Sequence, residues 1–177
     1  GGRSAAKLAA VRDALGALPV VAIEHVGSTS VPDLAAKPVI DVDVVVTRDI
    51  VRAAVAAIAS AGYEPLGEMG VPDRFAFRSP VGAPRQNIYV TVVGSLALRN
   101  HLGLRDTLRA CPDLRDEYGA VKLALAARTD DIDVYVDGKT DIVLRILQKV
   151  GLAQHELDEL EGVNRMVGDS VAKARPR

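Results

Sequence analysis

The sequence is poor in aromatic residues, with no tryptophan, two phenylalanines and four tyrosines. Proteins that bind single-stranded nucleic acid stack bases on aromatic side chains, and duplex binding needs an excess of Lys and Arg. Here 22 Lys and Arg stand against 23 Asp and Glu, which gives a formal net charge of −1. We therefore expect no nucleic-acid partner.

Cysteine is also scarce, since Cys111 is the single one in 177 residues. A single cysteine excludes an internal disulfide and a cysteine-ligated zinc site, which is typical of a reducing compartment. The apolar runs are far shorter than the roughly 20 residues that span a bilayer, and no signal-peptide pattern is evident. We therefore expect a cytoplasmic protein without a membrane partner.

Length and apolar content set the size of the fold. A chain of 177 residues, 49% of them apolar, is sufficient for one hydrophobic core. We expect a single domain over residues 1–177, with 1–3 and 171–177 frayed at the ends. The pattern leaves the oligomeric state open.

The most informative stretch is a predicted strand from Ile40 to Thr47 that carries two acids. Apolar residues alternate along it with Asp41 and Asp43, so one face of the strand is apolar and the other is acidic at its start. Residues two apart on a strand point the same way, with Cα atoms roughly 6.7 Å apart. Two carboxylates at that spacing can converge on one or two hard cations.

A turn of small polar residues precedes this strand: Gly27, Ser28, Thr29 and Ser30. Its backbone N–H groups and hydroxyls can bind an anion. Taken alone, each motif is often only a solvated acid pair or a turn that bonds its own backbone. Cation ligands and an anion-binding turn on adjacent strands together predict a nucleoside triphosphate site.

The same residues resemble a known family. The runs 24–32 and 34–43 are similar to the signature of the GrpB family, which belongs to the nucleotidyltransferase-fold superfamily. The resemblance implies a mixed sheet in which the Gly-Ser turn holds a triphosphate and Asp41 and Asp43 hold catalytic Mg²⁺ or Mn²⁺. It further implies transfer of a nucleoside monophosphate from the triphosphate to an acceptor, here an unidentified small molecule.

Three further residues are candidates for nucleotide binding. Lys37 stands just before the acid pair, where it can neutralise phosphate oxygens or pair with a neighbouring acid. Tyr89 lies on the polar side of a predicted strand at 87–93. Lys122 lies on a predicted helix and faces either the cleft or the rim of the core.

The predicted strand at 87–93 carries Asn87, Tyr89 and Thr91 on its polar side and no acid. We expect this polar row to join the two acids around an open cleft. Active nucleotidyltransferases place a further carboxylate on a third strand, so this site either binds a metal nucleotide without transfer or recruits another acid. The acids available for recruitment are Glu64, Glu68 and Asp73.

The remaining pattern predicts an α/β (α+β) fold with a nucleotidyltransferase-like core. We expect a mixed sheet of four or five strands, the early helices on one of its faces, and a C-terminal helical cap beside the cleft. The predicted strands are 20–24, 40–47, 63–66, 74–78 and 87–93, and the predicted helices are 4–18, 49–61, 95–109, 112–128, 140–150 and 151–167.

Two functions from different classes fit this sequence. The first is a Mg²⁺-dependent nucleotidyltransferase. The second is a non-catalytic nucleotide- or CoA-binding accessory module, a role implied by family relatives that are fused to dephospho-CoA kinase. The intact acid pair favours the enzyme, and the missing third carboxylate favours the binding module.

Overall fold

The computed structural model describes residues 2–128 and 132–173, except for the side chains of 132–137 and 165–173. The chain forms two compact units. The first contains the residues up to Pro32 together with 36–101, and the second contains 33–35 and the residues from Leu102 onward. The single domain expected from the length stays a prediction.

The first unit contains every strand of the described chain. Its elements are helix α1 (Gly2–Leu15), β1 (Ala22–Val26), a 3₁₀ turn (Ser28–Ser30), β2 (Ile40–Val46), a second 3₁₀ turn (Arg48–Ile50), α2 (Val51–Ser60), β3 (Glu64–Gly67), β4 (Arg74–Arg78), β5 (Gln86–Val92) and the start of α3 (Leu96–Ala110). Helix α1 ends three residues earlier than predicted because Gly16 adopts a positive φ of 57°.

The five strands form one mixed sheet in the order β1-β2-β5-β4-β3. β2 and β5 are parallel, whereas the other neighbouring pairs are antiparallel. The predicted mixed α/β fold is therefore confirmed. Because β2 and β5 are central neighbours, the residues on their polar sides lie next to each other.

The two faces of the sheet have different chemistry. Helices α1 and α2 cover one face, as predicted for the helices that precede and connect the early strands. The buried residues of this core are Val11, Leu15, Val44, Val46, Ala54, Ile58, Phe77, Ile88 and Val90. The opposite face carries Asp41 and Asp43 of β2, since successive residues of a strand point to opposite sides.

The second unit is helical. It contains the rest of α3, α4 (Pro112–Arg128), α5 (Ile132–Val150) and α6 (Gln154–Lys173). The prediction that a helix begins at Thr140 after Gly138 is wrong, because Gly138 lies inside α5. A Cβ on Gly138 would lie 2.8 Å from Cδ2 of Leu125, so the close packing of α4 against α5 favours glycine there.

The predicted frayed ends are partly helical. Gly2 and Arg3 belong to α1, and α6 extends to Lys173. Residues 1 and 174–177 lie outside the described residues. Across the helices that the structure describes, none combines the length and the apolar character needed to cross a membrane.

The packing of α2 on the sheet can be tested at Ile58, whose side chain is 1% exposed. Ile58→Ala should lower the free energy of unfolding by about 2–5 kcal/mol, because it leaves a cavity between helix and sheet. Val21→Ala is the control, since Val21 is 55% exposed, and it should change stability by less than about 0.5 kcal/mol. If urea denaturation shows equal losses of unfolding free energy for Ile58→Ala and Val21→Ala, this packing is contradicted.

Candidate functional site

The acid pair lies at the start of β2 on the polar face of the sheet. Asp41 and Asp43 point to the same side, as the alternation of the strand predicts. The two carboxylates differ in exposure, since Asp43 is 0% exposed and Asp41 is half-buried. A buried carboxylate must find hydrogen-bond partners inside the protein, and Asp43 has them.

Strand β5 supplies partners for both acids. Asn87 donates from Nδ2 to Oδ1 of Asp41 over 2.7 Å. Thr91 donates its hydroxyl to Oδ1 of Asp43 over 2.8 Å. These two bonds confirm that the polar row of β5 faces the acids.

Helix α3 adds a histidine that the sequence reasoning missed. His101 Nδ1 lies 2.7 Å from Oδ2 of Asp43, so both oxygens of this carboxylate have partners. The side chain of His101 retains 21% exposure, whereas that of Asp43 has none. No spacing signal in the sequence relates this helical residue to a strand residue 58 positions earlier.

β1 contributes a second residue that the sequence reasoning missed. Glu24 lies directly opposite Asp43 in the antiparallel register, so it points to the polar face. His25 pairs with Val42 and therefore belongs to the other side of the sheet. The alternation of side chains along β1 is a sequence signal for the face on which Glu24 lies. Its position opposite Asp43 depends on the strand register, which the sequence alone does not predict.

Tyr89 occupies the middle of the polar face. Its neighbours in register are Asp43 on β2 and Ala76 on β4. Its ring centre lies 5.8 Å from that of His101, and the guanidinium carbon of Arg74 lies 4.6 Å from the ring centre on β4's side. Tyr89 therefore separates the acids from the arginine.

The surroundings of Tyr89 affect its ionisation in opposite directions. Burial is the main cause that raises the pKa of Tyr89 above its usual value of 10.0. Arg74 and Arg85 lower this pKa, and Asp41 and Asp43 raise it. Because the net shift is upward, the hydroxyl stays protonated at neutral pH and can donate a hydrogen bond.

The Gly-Ser turn lies against the acid pair. Gly27 has a φ of 72°, which is in the left-handed region that favours glycine. A Cβ at this position would lie 2.9 Å from Cγ of Asp41 and closer still to Oδ2. The turn and the acid strand, adjacent by prediction, are thus in direct contact at Gly27 and Asp41.

Two of the turn's hydroxyls already have partners within the protein. Ser30 donates its hydroxyl to the carbonyl oxygen of Gly27, which stabilises the turn. The Thr29 hydroxyl lies 2.9 Å from Nε2 of His25. The backbone N–H of Ser30 donates to the carbonyl oxygen of Gly27, so a phosphate at this turn would contact chiefly the backbone N–H groups that precede it.

The two predicted lysines are not brought to the acid pair by any described contact. Lys37 is exposed, and in the described part of the chain its ammonium has no carboxylate partner. Lys122 belongs to α4 of the second unit, where its ammonium lies 5.5 Å from the ring centre of Tyr118. Nucleotide binding by either lysine stays a prediction.

The acids suggested for recruitment have other partners. Glu64 pairs with Arg78 over 3.0 Å, and Asp73 pairs with Arg48 over 2.9 Å. Glu68 accepts a hydrogen bond from the backbone N–H of Asp73. These contacts favour the alternative in which the site has no third carboxylate from this segment.

The residues present fit a Mg²⁺ ion in part. Asp41 and Asp43 supply the hard oxygen ligands that Mg²⁺ prefers, and Asp41 is the more accessible of the two. Each carboxylate offers about four lone-pair sites, so the hydrogen bonds to Asp43 leave it some capacity. Among the side chains that the structure describes, no three His, Cys, Asp or Glu residues cluster in a way suited to a metal. Such a site would be completed by phosphates and water, which is usual for Mg²⁺.

The contact at Gly27 predicts a specific coupling with Asp41. Gly27→Ala should destabilise the protein by about 1–3 kcal/mol, because it adds both backbone strain and overlap with the carboxylate. In an Asp41→Ala background this cost should fall to that of strain alone, since the overlapping atoms are gone. Urea denaturation of the four proteins in this double-mutant cycle measures the coupling.

Gly94→Ala is the matched control for strain. Gly94 has a φ of 74°, and a Cβ there would meet nothing within 4 Å. Its cost should therefore be of the same order as that of Gly27→Ala in the Asp41→Ala background, about 1–3 kcal/mol. Independent, additive effects of Gly27→Ala and Asp41→Ala would contradict the contact.

Comparison with known proteins places the chain in a family. Residues 3–149 match the family model described as GrpB protein. The UPF0157 protein YqkA of Bacillus subtilis is 36% identical over 124 residues, which are 69% of this chain and 36% of that protein. The chain therefore spans little more than a third of that relative's length. The UPF0157 protein SCO7215 of Streptomyces coelicolor is 39% identical over 153 residues, 81% of this chain and 75% of that protein.

A solved structure agrees with this match. The crystal structure of conserved protein GrpB from Enterococcus faecalis superposes with a TM-score of 0.69 at 31% identity, covering 82% of this chain and 91% of that one. The family model extends over most of both units, including the Gly-Ser turn and the acid pair. On sequence and fold together, the chain belongs to the GrpB family.

Proposed function

We propose that this protein binds a nucleoside triphosphate with Mg²⁺ on the polar face of the sheet and transfers its nucleoside monophosphate to a small-molecule acceptor. The observation that carries the proposal is the contact between the Gly27 turn and the Asp41 carboxylate. A phosphate chain and its counter-ion need anion-binding and cation-binding groups side by side. The turn and the acid meet that requirement at a single point.

The chain's own residues divide the work of binding. The backbone of the turn faces the phosphates, and Asn87 orients the Asp41 carboxylate through its 2.7 Å hydrogen bond. A bound Mg²⁺ would neutralise phosphate charge and stabilise the charge that develops in transfer. Tyr89 remains protonated and offers a donor in the middle of the face.

Asp43 has a positioning role in this proposal. Its carboxylate is fully buried and bonded to Thr91 and His101, so it fixes β2, β5 and α3 relative to each other. His101 remains partly exposed and is the one of these three side chains that can contact a ligand. Asp41 is then the accessible acid, and its removal should affect metal-dependent binding most directly.

The second candidate function is the non-catalytic nucleotide- or CoA-binding module. The enclosure of Asp43 favours it, because two-carboxylate transfer sites expose both acids to the metal. In this alternative the turn and Asp41 hold the phosphates, and no bond is made or broken. The two candidates share a ligand and differ in whether pyrophosphate is released.

Pyrophosphate release distinguishes them. The wild-type protein, incubated with each of the four nucleoside triphosphates, Mg²⁺ or Mn²⁺ and pooled small-molecule acceptors, should release pyrophosphate. Asp41→Asn should reduce the rate by about a hundredfold or more, since one charge that holds the metal is lost. Asp49→Asn is the control, because Asp49 is an exposed acid outside the polar face, and it should leave the rate unchanged.

Calorimetry of the same proteins completes the test. Triphosphate should bind more tightly with Mg²⁺ than with EDTA, and Asp41→Asn should remove that difference. Metal-dependent binding without pyrophosphate would support the accessory module. Triphosphate binding that ignores both Mg²⁺ and Asp41 would overturn both candidates.

A further inference from the structure

Arg74 lies on the same face of the sheet as the acid pair but on the far side of Tyr89. It is directly opposite Thr91 in the antiparallel register of β4 and β5, and Thr91 bonds Asp43 on the polar face. Opposite residues of an antiparallel pair share a face. The polar face is therefore acidic over β2, aromatic over β5 and basic over β4.

Arg74 differs from Arg48 and Arg78, two arginines of the first unit that are paired with carboxylates. Arg78 pairs with Glu64 over 3.0 Å and Arg48 with Asp73 over 2.9 Å. Among the described residues no carboxylate pairs with Arg74, and its buried Nε has no hydrogen-bond partner. A buried guanidinium nitrogen without an acceptor is costly, so an anion that supplies an acceptor for the Nε of Arg74 would be favoured here.

The guanidinium of Arg74 is already positioned for a ligand. Its stacking on Tyr89, 4.6 Å from the ring centre, restricts a side chain that otherwise has many rotamers. A guanidinium presents its N–H donors in a rigid fork that matches a carboxylate or a phosphate. The neighbouring acids form no described ion pair with Arg74, and their described side-chain hydrogen bonds go to Asn87, Thr91 and His101.

Arg85 adds positive charge near the same place. It acts on Tyr89 from the loop before β5, in the same direction as Arg74. Arg85 is exposed, so it can approach a ligand from solvent. The part of the face beyond Tyr89 thus favours an anion, in contrast to the part that carries Asp41 and Asp43.

We propose that Arg74, stacked on Tyr89, is an anion subsite that binds a phosphate or carboxylate group. Its place next to a nucleotide rests on the function proposed above, whereas the binding of an anion does not. The anion has two possible sources. It is either the phosphate chain of the nucleotide or an acidic group on the acceptor, which would then be an anionic small molecule.

Titrations of four proteins test the subsite. Inorganic phosphate and succinate are titrated separately, without metal or nucleotide, into the wild type, Arg74→Met, Arg74→Lys and Arg78→Met, and binding is followed by NMR. At least one of the two anions should bind the wild type, and Arg74→Met should weaken it about tenfold, since charge-assisted hydrogen bonds are lost. The anion affinity of Arg74→Lys should lie between those of the wild type and Arg74→Met, because lysine keeps the positive charge but lacks the forked N–H donors of arginine.

Arg78→Met is the matched control. Arg78 is on the same strand and face four residues away, but it is already paired with Glu64, so its loss should leave anion affinity unchanged. Thermal unfolding of each variant verifies the fold. Absence of anion binding by the wild type, or equal weakening by Arg78→Met and Arg74→Met, would overturn the subsite even if triphosphate binds at Asp41.

Titration of ATP with Mg²⁺ identifies the source of the anion. If ATP affinity falls in Arg74→Met while adenosine affinity does not, the subsite holds the phosphate chain. If ATP affinity is unchanged and phosphate or succinate binding still depends on Arg74, the subsite holds the acceptor. If the protein binds phosphate or succinate through Arg74 but binds no nucleotide, the subsite is confirmed and the proposed function is contradicted.

Discussion

The buried carboxylate of Asp43 is the constraint on which the polar face depends. A carboxylate with no exposed surface has to receive its hydrogen bonds from within the protein, and leaving it unpaired would cost about 3–5 kcal/mol. Thr91 of β5 and His101 of α3 meet this need. One side chain thereby fixes the central strand pair and the helix that follows it.

The same sheet separates two kinds of chemistry. Its apolar face is sealed by α1 and α2 around residues such as Ile58 and Ile88, which makes the strands rigid. Its polar face then presents charges at fixed positions: acids over β2 and an arginine over β4, with Tyr89 between them. Side chains held on these strands lose little freedom when a ligand binds.

The sequence was sufficient for the elements but not for all of their contacts. The alternation of polar and apolar residues identified both ends of β4, Arg74 and Arg78, and located β2 to within one residue. The approach of Gly27 to Asp41 was expected from adjacent strands. Only the three-dimensional register of the strands shows that these two residues are in contact.

What the sequence could not predict depends on tertiary structure. His101 is one of many polar residues on an amphipathic helix until the path of α3 brings it to Asp43. The isolation of Arg74 from the acids likewise follows from the strand order, and Gly138, which pattern reasoning took for a helix boundary, lies inside α5. A glycine inside a helix reports close packing only when the neighbouring helix is known.

We propose that the Gly27 turn and Asp41 together hold a metal–triphosphate. A crystal structure with Mn²⁺ and a non-hydrolysable ATP analogue tests it most directly, because anomalous scattering locates the metal independently of the phosphates. We expect a Mn²⁺ peak about 2.1 Å from a carboxylate oxygen of Asp41, with the phosphates against residues 27–30. A metal elsewhere, or a triphosphate bound away from this turn, would contradict it.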